Sequence, residues 1–259
     1  MKSLITLGLV LCCCGAWALD PDRYQMVDLS HSYDEQTLFW PTSPTTFKKQ
    51  TLAWGPTDGG YFYSAFSFCT PEHGGTHLDA PIHFSADGIT TEKMPLQQLI
   101  APGVVIDVSK QAAADRNYRL QVKDVTDFED RHGPIAAGSI VLMRSGWSRH
   151  WPDARAYLGD DTPGDASKLQ FPGYGVDATR LLVEERGVAM LGVDTASIDY
   201  GKSKDFMVHR VAAARNVGGL ENLTGLEKLP ASGFTVIALP VKIGGGSGAP
   251  VRVVALVPK

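Results

Sequence analysis

The sequence predicts a single α/β domain with a mixed sheet. The chain has 259 residues, and about 240 remain after a predicted N-terminal leader, which is enough for one large domain with a full core. Short runs rich in Val and Ile are intermixed along the chain with stretches of helical pattern. Neither an internal repeat nor a long low-complexity segment divides the chain. This mixture of strands and helices favours an α/β fold built on one mixed sheet.

Residues 1–18 have the features of a secretory signal peptide. Lys2 precedes an apolar run over residues 4–14, and small residues at 16–18 form an A-x-A-like cleavage site. The run is too short for a stable membrane span, although an uncleaved anchor is the alternative. We therefore expect an exported protein, periplasmic or secreted, whose domain spans residues 19–259.

Charge and cysteine content argue against a nucleic-acid-binding protein and against a fold held by disulfides. The net charge is −4 with the charges interspersed, so no basic patch indicates binding to nucleic acid. Three of the four cysteines lie in the leader, which leaves Cys69 without a partner for an internal disulfide. Because Cys69 lies between aromatic residues, we expect a small buried side chain rather than a nucleophile.

Five apolar runs predict the strands of the sheet. They are rich in Val and Ile and bounded by Gly, Pro or Asp, as buried strands are. The runs cover residues 104–108, 140–143, 189–193, 234–238 and 251–257. Two helices are predicted, at residues 179–185 before Gly187 and at residues 204–217 before Gly218 and Gly219.

Two irregular segments stand out between these elements. Residues 150–176 contain GDDTPGDAS and FPGYG and predict a long surface excursion, a feature that often contributes to a binding site. Residues 243–250, IGGGSGAP, lack the lysine and the following helix of a phosphate-binding loop. We interpret this glycine-rich segment as a connection between strands, with a place at the rim of the site as the alternative.

Three histidines and an aspartate are concentrated in PEHGGTHLDAPIHF, residues 71–84. The four are His73, His77, Asp79 and His83. All have odd numbers, and side chains an even number of residues apart share one face of an extended chain. The glycines and the proline of the segment disfavour a continuous helix, so any extended stretch directs the set to one side.

This combination of side chains indicates a site for a divalent metal. Two imidazoles and a carboxylate are suitable ligands for Zn²⁺ or Mn²⁺. Three protein ligands leave room for water and a substrate, as in a catalytic site. The alternative is a polar strand with satisfied histidines, and the concentration of four such residues favours the metal site.

The segment HGGTHLDAPIHF resembles the signature of the metal-dependent cyclase-like hydrolases. That family includes bacterial kynurenine formamidase and isatin hydrolase. The resemblance extends over nearly all of the mature chain, through VDLSH, FWP, GVDTASID and VIALPVKIGGGSGAPVRVVAL at residues 27–31, 39–41, 192–199 and 236–256. It implies a swivelling β/β/α arrangement, usually in homodimers or larger homo-oligomers.

The resemblance also implies roles for individual residues. His73, His77 and Asp79 match the residues that bind one manganese in isatin hydrolase, and His83 matches the proton shuttle. A downstream histidine followed twelve residues later by a glutamate completes the family pattern, and His209 and Glu221 fit this spacing.

Two roles remain open for the downstream pair. In kynurenine formamidases it helps to hold a second metal, bridged by the aspartate that matches Asp79. In a site with one metal, His209 and Glu221 would be metal-free polar groups near the substrate.

Eight aromatic residues precede the motif and predict a flat substrate. Most are expected to pack in the core, and about two to contact substrate. They are Phe39, Trp40, Trp54, Tyr61, Phe62, Tyr63, Phe66 and Phe68. Phe39 and Trp40 are the candidates for substrate binding, because the family places its aromatic contact there.

The segment at residues 54–84 looks more similar to isatin hydrolases than to the short cytosolic formamidases, and the leader agrees with this. We therefore expect a small aromatic amide as substrate, with the lactam ring of isatin opened to isatinate. Arylformamide hydrolysis, as of N-formylkynurenine, is the alternative. A third alternative is an exported metal- or ligand-binding module without turnover, against which the presence of His83 argues.

Overall fold

The structure is a computed structural model that describes residues 21–259, so the predicted leader at residues 1–18 lies outside the described residues. Twelve strands are present in the described part of the chain. They are β1 Tyr24–Asp28, β2 Lys48–Pro56, β3 Phe62–Cys69, β4 His77–Asp79, β5 Ile100–Asp107, β6 Arg119–Leu120, β7 Ile140–Arg144, β8 Gly173–Tyr174, β9 Met190–Val193, β10 Gly218–Glu221, β11 Phe234–Pro240 and β12 Gly248–Pro258.

Helices lie between these strands. The α-helices are α1 Leu96–Leu99, α2 Ser109–Ala114, α3 Val122–His132, α4 Ala154–Leu158, α5 Val176–Arg180 and α6 Met207–Ala213. Short 3₁₀ helices cover Pro21–Arg23, Pro81–His83, Thr91–Lys93, Trp147–His150 and Leu226–Lys228, and a π-helix covers Leu181–Glu185.

Seven strands close into a mixed barrel in the order β12, β11, β5, β7, β9, β10, β4 and back to β12. The strands β5, β7, β9 and β10 are parallel to one another, and the remaining contacts are antiparallel. Closure depends on the length of β12. One of its edges pairs with β11. The other edge pairs with β4 through residues 248–250 and with β1 through residues 254–258. The predicted single α/β domain with a mixed sheet is thus a barrel.

The core has two layers that meet at the barrel wall. Ile140 and Leu142 of β7 belong to a cluster to which every barrel strand contributes, which fills the barrel. The alternating residues Val141 and Met143 belong to a second cluster that includes residues of α3, α5 and α6. Because both faces are buried, the strand is a continuous apolar run, and this is why it was predictable.

The predicted strands are confirmed, whereas the helices differ in their bounds. The helix predicted at residues 179–185 begins earlier as α5 and continues as the π-helix. The helix predicted at residues 204–217 is shorter, because α6 begins at Met207 after Phe206 in a left-handed conformation with φ 50°. Residues 150–176 are not only a surface excursion, since Tyr157, Leu169 and Phe171 are fully buried.

A two-stranded antiparallel hairpin, β2 and β3 with their connection, lies apart from the barrel sheet. We call residues 48–69 the aromatic hairpin. Six of the eight aromatic residues that precede the metal motif lie on it and are exposed, so the expectation that they pack in the core is wrong. Cys69, predicted as buried, is exposed at its end for the same reason: neither face of this hairpin packs against the core.

Within residues 21–259, no helix combines the length and the apolar character that crossing a membrane requires. The swivelling β/β/α arrangement that the resemblance implies stays a prediction.

Candidate metal centre and active site

The site is built on β4, the three-residue strand that closes the barrel. β4 pairs with β10, where His77 faces Glu221 in the register, and with β12, where Asp79 faces Gly248. His77 and Asp79 are two residues apart on an extended strand, so their side chains share a face as predicted. Gly248 is needed at this contact, because a Cβ there would lie 2.5 Å from the Cε1 atom of His73.

His73 and His83 reach Asp79 through bends on either side of β4. Gly74 and Gly75 have φ angles of 150° and 55°, and this turn brings His73 Nδ1 to 2.6 Å from Asp79 Oδ1. His83 ends the 3₁₀ helix Pro81–His83 and stacks on His73, with ring centroids 3.8 Å apart. The four residues therefore converge, although their shared odd parity explains only the pair on β4.

His209 contacts the same aspartate directly, and Glu221 contacts two of the histidines around it. His209 Nε2 is 3.2 Å from Asp79 Oδ2 and 3.1 Å from Glu221 Oε1. Glu221 Oε2 is 3.4 Å from His77 Nε2. α6 and the end of β10 supply these two side chains, and both side chains are buried. The twelve-residue spacing in the sequence thus corresponds to one cluster in space.

The cluster fits a divalent metal by the chemistry of its donors. Two groups have donor atoms within 4.8 Å of one another: His73, Asp79 and His83, and His77, Asp79 and Glu221. Asp79 belongs to both groups, so the donors surround two faces of one carboxylate. Imidazole and carboxylate donors in this mixture suit Zn²⁺ or Mn²⁺.

Each of the three imidazoles in contact with Asp79 is held at its other nitrogen. His77 Nδ1 donates to the Gly75 carbonyl at 3.0 Å, and His209 Nδ1 donates to Asp199 at 2.7 Å. His73 Nε2 is 2.8 Å from Ser247 Oγ. Such anchors fix the tautomer and direct the free nitrogen of each ring toward the cluster.

The glycine-rich segment therefore lies at the rim of the site. Its Ser247 donates through Oγ to Glu72 at 2.6 Å, so this hydroxyl has a lone pair free to accept from His73. Of the two alternatives for residues 243–250, strand connection and rim of the site, both apply.

Electrostatics concentrate positive charge around Asp79. Burial by itself disfavours its ionised form, but His73 and His77 hold the pKa of the Asp79 carboxyl well below its usual value. Burial likewise disfavours a charged His77, yet Asp79 and Glu221 raise its pKa to about 9. The ionised Asp79 carboxylate therefore attracts a cation, either a protonated imidazole or a metal ion.

His83 has the opposite character. Burial lowers the pKa of His83 to about 4, and the attraction of Asp79 only partly opposes this. The ring keeps an exposed edge while its face is covered by His73. At neutral pH the His83 imidazole is therefore uncharged and has a lone pair that can accept a proton.

A cavity of about 270 Å³ opens on this cluster. Phe39 and Trp40 line it, as predicted for two of the eight aromatic residues. Phe84 and Phe206 complete an aromatic wall, with ring centroids 5.4 Å apart. Gly74 makes room for Phe39, because a Cβ at this glycine would lie 2.1 Å from the phenyl ring. The cavity size suits a small ligand rather than a polymer.

Several residues that shape the site were not predicted from the sequence. Asp199 and Ser247 anchor imidazoles, and Phe84, Phe206 and Asn222 line the cavity. Asp199 lies in GVDTASID, and Phe84 ends the metal motif, so both belong to segments that carry the family resemblance. Their roles depend on contacts between distant parts of the chain, which no local pattern reveals.

The fold and the donor set define a metal-dependent type of hydrolase, and a family model matches this reading. The chain belongs to the Cyclase family, described as "Putative cyclase", whose model matches residues 27–200. The resemblance found in the sequence is therefore confirmed, and the chain is a hydrolytic enzyme by its relatives.

Individual relatives are similar over most of their length. An isatin hydrolase of Roseibium aggregatum is 39% identical over 197 residues, which cover 73% of this chain and 73% of the relative. A kynurenine formamidase of Salinibacter ruber is 29% identical over 231 residues, covering 88% and 96%. A crystal structure of an isatin hydrolase bound to the product analogue thioisatinate superimposes with a TM-score of 0.84 at 32% identity, covering 92% of this chain and 94% of that chain.

Proposed function

We propose that this protein opens the lactam ring of isatin to give isatinate, which breaks an amide C–N bond next to an aromatic ring. One observation carries the proposal: Phe39 and Trp40 line the same small cavity as His83 and Asp79. A flat aromatic amide between these rings would have its carbonyl group beside the cluster. Similarity to isatin hydrolases over most of both chains supports this substrate.

His73, His77 and Asp79 would bind the catalytic metal. Mn²⁺ is favoured because the resemblance to isatin hydrolase implies it, and Zn²⁺ is the alternative. When bound, a divalent metal lowers the pKa of water toward neutrality and polarises a carbonyl group. The anchors on the far nitrogens keep His73 and His77 in the tautomers that such a metal requires.

His83 would move the proton. Its uncharged imidazole accepts a proton from the attacking water at the carbonyl carbon and delivers it to the ring nitrogen as the C–N bond breaks. The stack on His73 keeps the ring at the edge of the cavity, where substrate and the cluster meet. The aromatic wall limits the access of bulk water to this transfer.

Turnover of isatin by the mature protein, reloaded with Mn²⁺ and with its metal counted, tests this function. N-formylkynurenine is assayed in parallel under the same conditions. Fast opening of isatin with about one manganese per chain is the expected result. Preference for the formamide with two zinc ions would overturn the lead function, as would full metal occupancy without turnover of either compound.

Arylformamide hydrolysis is the second candidate, and one observation favours it. His209 contacts both Asp79 and Glu221, as a residue that holds a second metal with these carboxylates would. Both reactions break a C–N bond beside an aniline ring, so the same cavity suits either substrate. The count of metal ions per chain in the parallel assay separates the two arrangements.

We also propose that the protein is exported, to the periplasm or the medium, after removal of residues 1–18. The support is the leader pattern in the sequence. The N-terminal sequence of the protein recovered from periplasm or medium tests this. Recovery only from the cytoplasm with Lys2 retained would contradict it.

We propose that the aromatic hairpin forms the interface of a homodimer. Six aromatic side chains on it are 40–70% exposed. At about 200 Å² per aromatic side chain they expose roughly 700 Å² of apolar surface, which is close to the roughly 800 Å² that each partner of a stable complex contributes. An isolated two-stranded hairpin is only marginally stable, so a second copy would also stabilise it.

A further inference from the structure

Asp199 is a buried carboxylate that holds the far side of His209. Its Oδ2 atom accepts from His209 Nδ1 at 2.7 Å and from the His209 backbone N–H at 3.1 Å. Its Oδ1 atom accepts from the Val208 backbone N–H at 3.2 Å and from Ser203 Oγ at 3.0 Å. Four donors thus fix one carboxylate, and two of them belong to the same histidine.

This arrangement joins the start of a helix to the orientation of a ring. The backbone N–H groups of Val208 and His209 lie in the first turn of α6, where they have no acceptor within the helix. Asp199 satisfies both and also binds the ring, so the backbone and the imidazole of His209 are fixed relative to each other. The result is that His209 Nε2 lies 3.2 Å from Asp79 Oδ2 and 3.1 Å from Glu221 Oε1.

The residue before Asp199 holds the other member of the downstream pair. The Ile198 backbone N–H donates to Glu221 Oε1 at 2.8 Å. Two consecutive residues therefore set the positions of His209 and Glu221, which are twelve residues apart in the sequence. Capping of α6 alone does not require Ile198 to contact Glu221.

We propose that Asp199 is a positioning residue that presents His209 Nε2 to a metal ion held between Asp79 and Glu221. The carboxylate keeps the proton on Nδ1 and increases the basicity of Nε2, as carboxylates behind metal-binding imidazoles do. This inference rests on the proposed metal-dependent function and deepens it, because it assigns His209 to a metal rather than to the substrate. The ion at His209 would be a second, more weakly bound equivalent beside the one at His73, His77 and Asp79, so isatin turnover with one tightly bound manganese remains the expected result.

The variant Asp199→Asn separates this role from the capping of α6. Asparagine keeps one side-chain oxygen in the place of Oδ1, so the Val208 backbone N–H at the start of α6 keeps its acceptor. The amide lacks the negative charge, and its NH₂ group can donate to Nδ1 and favour the wrong tautomer of His209. A role in capping alone predicts unchanged metal binding, whereas the positioning role predicts weaker binding.

Metal affinity and stoichiometry, measured by titration of the stripped protein with Mn²⁺ and with Zn²⁺, provide the test. We expect D199N to bind one metal equivalent 10–100-fold more weakly than the natural protein. We expect the double variant D199N/H209A to bind no more weakly than H209A, because Asp199 acts through His209. Ser203→Ala is the matched control, since it removes a partner of Oδ1 without contact to His209, and it should keep the natural affinity.

Unchanged affinity in D199N, or additive losses in the double variant, would overturn the inference. If D199N does not fold, Asp199→Ser, whose hydroxyl keeps a hydrogen-bonding oxygen without the charge, replaces it in the same titration, with the same expected loss. Because the readout is metal binding, the outcome is independent of the substrate. A natural protein that binds metal but does not open isatin would overturn the proposed substrate and leave the role of Asp199 to be decided by these titrations.

Discussion

His83 differs from the other histidines at Asp79 in how it is held. His73, His77 and His209 each have one nitrogen anchored and the other directed at carboxylates. His83 instead stacks on an imidazole and presents an edge to the cavity. Anchored rings suit metal binding, while a ring with freedom at its edge suits proton transfer. This contrast separates the two roles among chemically identical side chains.

His83→Ala should abolish most turnover and leave the metal in place. Loss of a general acid–base catalyst lowers kcat by about 10²–10⁴-fold. Metal content stays close to natural, because the variant retains the three proposed ligands His73, His77 and Asp79. Steady-state kinetics with isatin and metal analysis of the same sample provide the measurement.

The matched control is His132→Ala, at the exposed end of α3, which should leave both quantities unchanged. Activity that survives in the His83 variant would show that its assigned role is wrong. Loss of metal together with activity would instead show that His83 is a ligand. The structure permits this, because donor atoms of His83, His73 and Asp79 lie within 4.8 Å of one another.

At this scale the sequence predicted those parts of the site that are local. His77 and Asp79 were predicted to share a face because they are two residues apart on one strand. The other members of the motif were predicted because they are concentrated in the same short segment. Ser247 is 174 residues from His73, and no spacing rule relates them. Asp199 reads in the sequence as one of many loop carboxylates, and only its contact with His209 distinguishes it.

The aromatic hairpin is the element that least resembles its prediction. Its aromatic residues have the composition of a core strand, and composition does not reveal whether a second layer covers them. The strands of the barrel were predictable because both of their faces are buried within the chain. Helix α3 was missed because it is mostly polar: only Val125 and Phe128 of its eleven residues are buried, which leaves too few apolar positions to mark a helix in the sequence.

Replacing Trp54 and Phe68 on the hairpin with serine should shift the protein from dimer to monomer. These side chains are 70% and 67% exposed, so the change removes little from the monomer core. It removes about a third of the apolar area that the hairpin offers, and buried aromatic side chains dominate the energetics of most interfaces. Sedimentation at several concentrations measures the shift.

Leu96→Ser is the control, because Leu96 is 62% exposed on α1 and outside the hairpin. It should leave the association unchanged. A natural protein that sediments as a monomer at every concentration would contradict the proposed interface. So would a double variant that remains dimeric.

A second element-scale prediction concerns the ion pair that ties α3 to the end of the π-helix. Arg186 donates to both carboxylate oxygens of Glu129, at 2.8 and 3.0 Å. The hydrogen bonds from Arg186 lower the pKa of the Glu129 carboxyl, and burial only partly opposes this. A carboxyl whose pKa is lowered on folding stabilises the fold at pH values above its unfolded pKa, and this stabilisation is lost as the pH falls through the folded pKa.

Glu129→Gln should therefore cost about 1 kcal/mol at pH 7, the upper range for partly exposed pairs. The difference from the natural protein should shrink as the pH falls below about 4.3, the pKa of an unfolded glutamate, and disappear once the folded carboxyl is protonated as well. Urea unfolding at both pH values measures it. Asp127→Asn, which breaks the exposed pair with Lys123 on the same helix, should change stability by less at pH 7. A difference that does not depend on pH would contradict the electrostatic account.

The whole molecule depends on a closure that the sequence did not predict. A mixed sheet followed from the apolar runs, but its closure into a barrel requires β4, which has only three residues and no detectable periodicity. Its pairing partners lie more than 130 residues away on β10 and β12. Such distant pairings carry no local signal, so the sequence predicted the class of the sheet and not its shape.

The same closure places the cluster where the barrel strands, α6 and the loop before β4 meet. Asp79 and Glu221 are two buried carboxylates that contact the same histidines. Their mutual repulsion opposes closure unless positive charge lies between them. A bound metal would therefore stabilise the junction of β4 with β10 as well as supply chemistry.

Removal of the metal should consequently lower the thermal stability of the whole domain. A ligand present at 100 times its dissociation constant stabilises the folded state by about 2.7 kcal/mol. For a domain of this size that corresponds to a fall in Tm of about 5–10 °C on treatment with a chelator. Calorimetry before and after chelation measures the change, and added Mn²⁺ or Zn²⁺ should restore the original Tm. Asp79→Asn is the control: it removes the carboxylate common to both donor groups, so chelator should no longer shift its Tm. Equal melting of the natural protein with and without chelator would mean that the cluster does not hold a metal in the folded state, and the metal-dependent mechanism would fail with it.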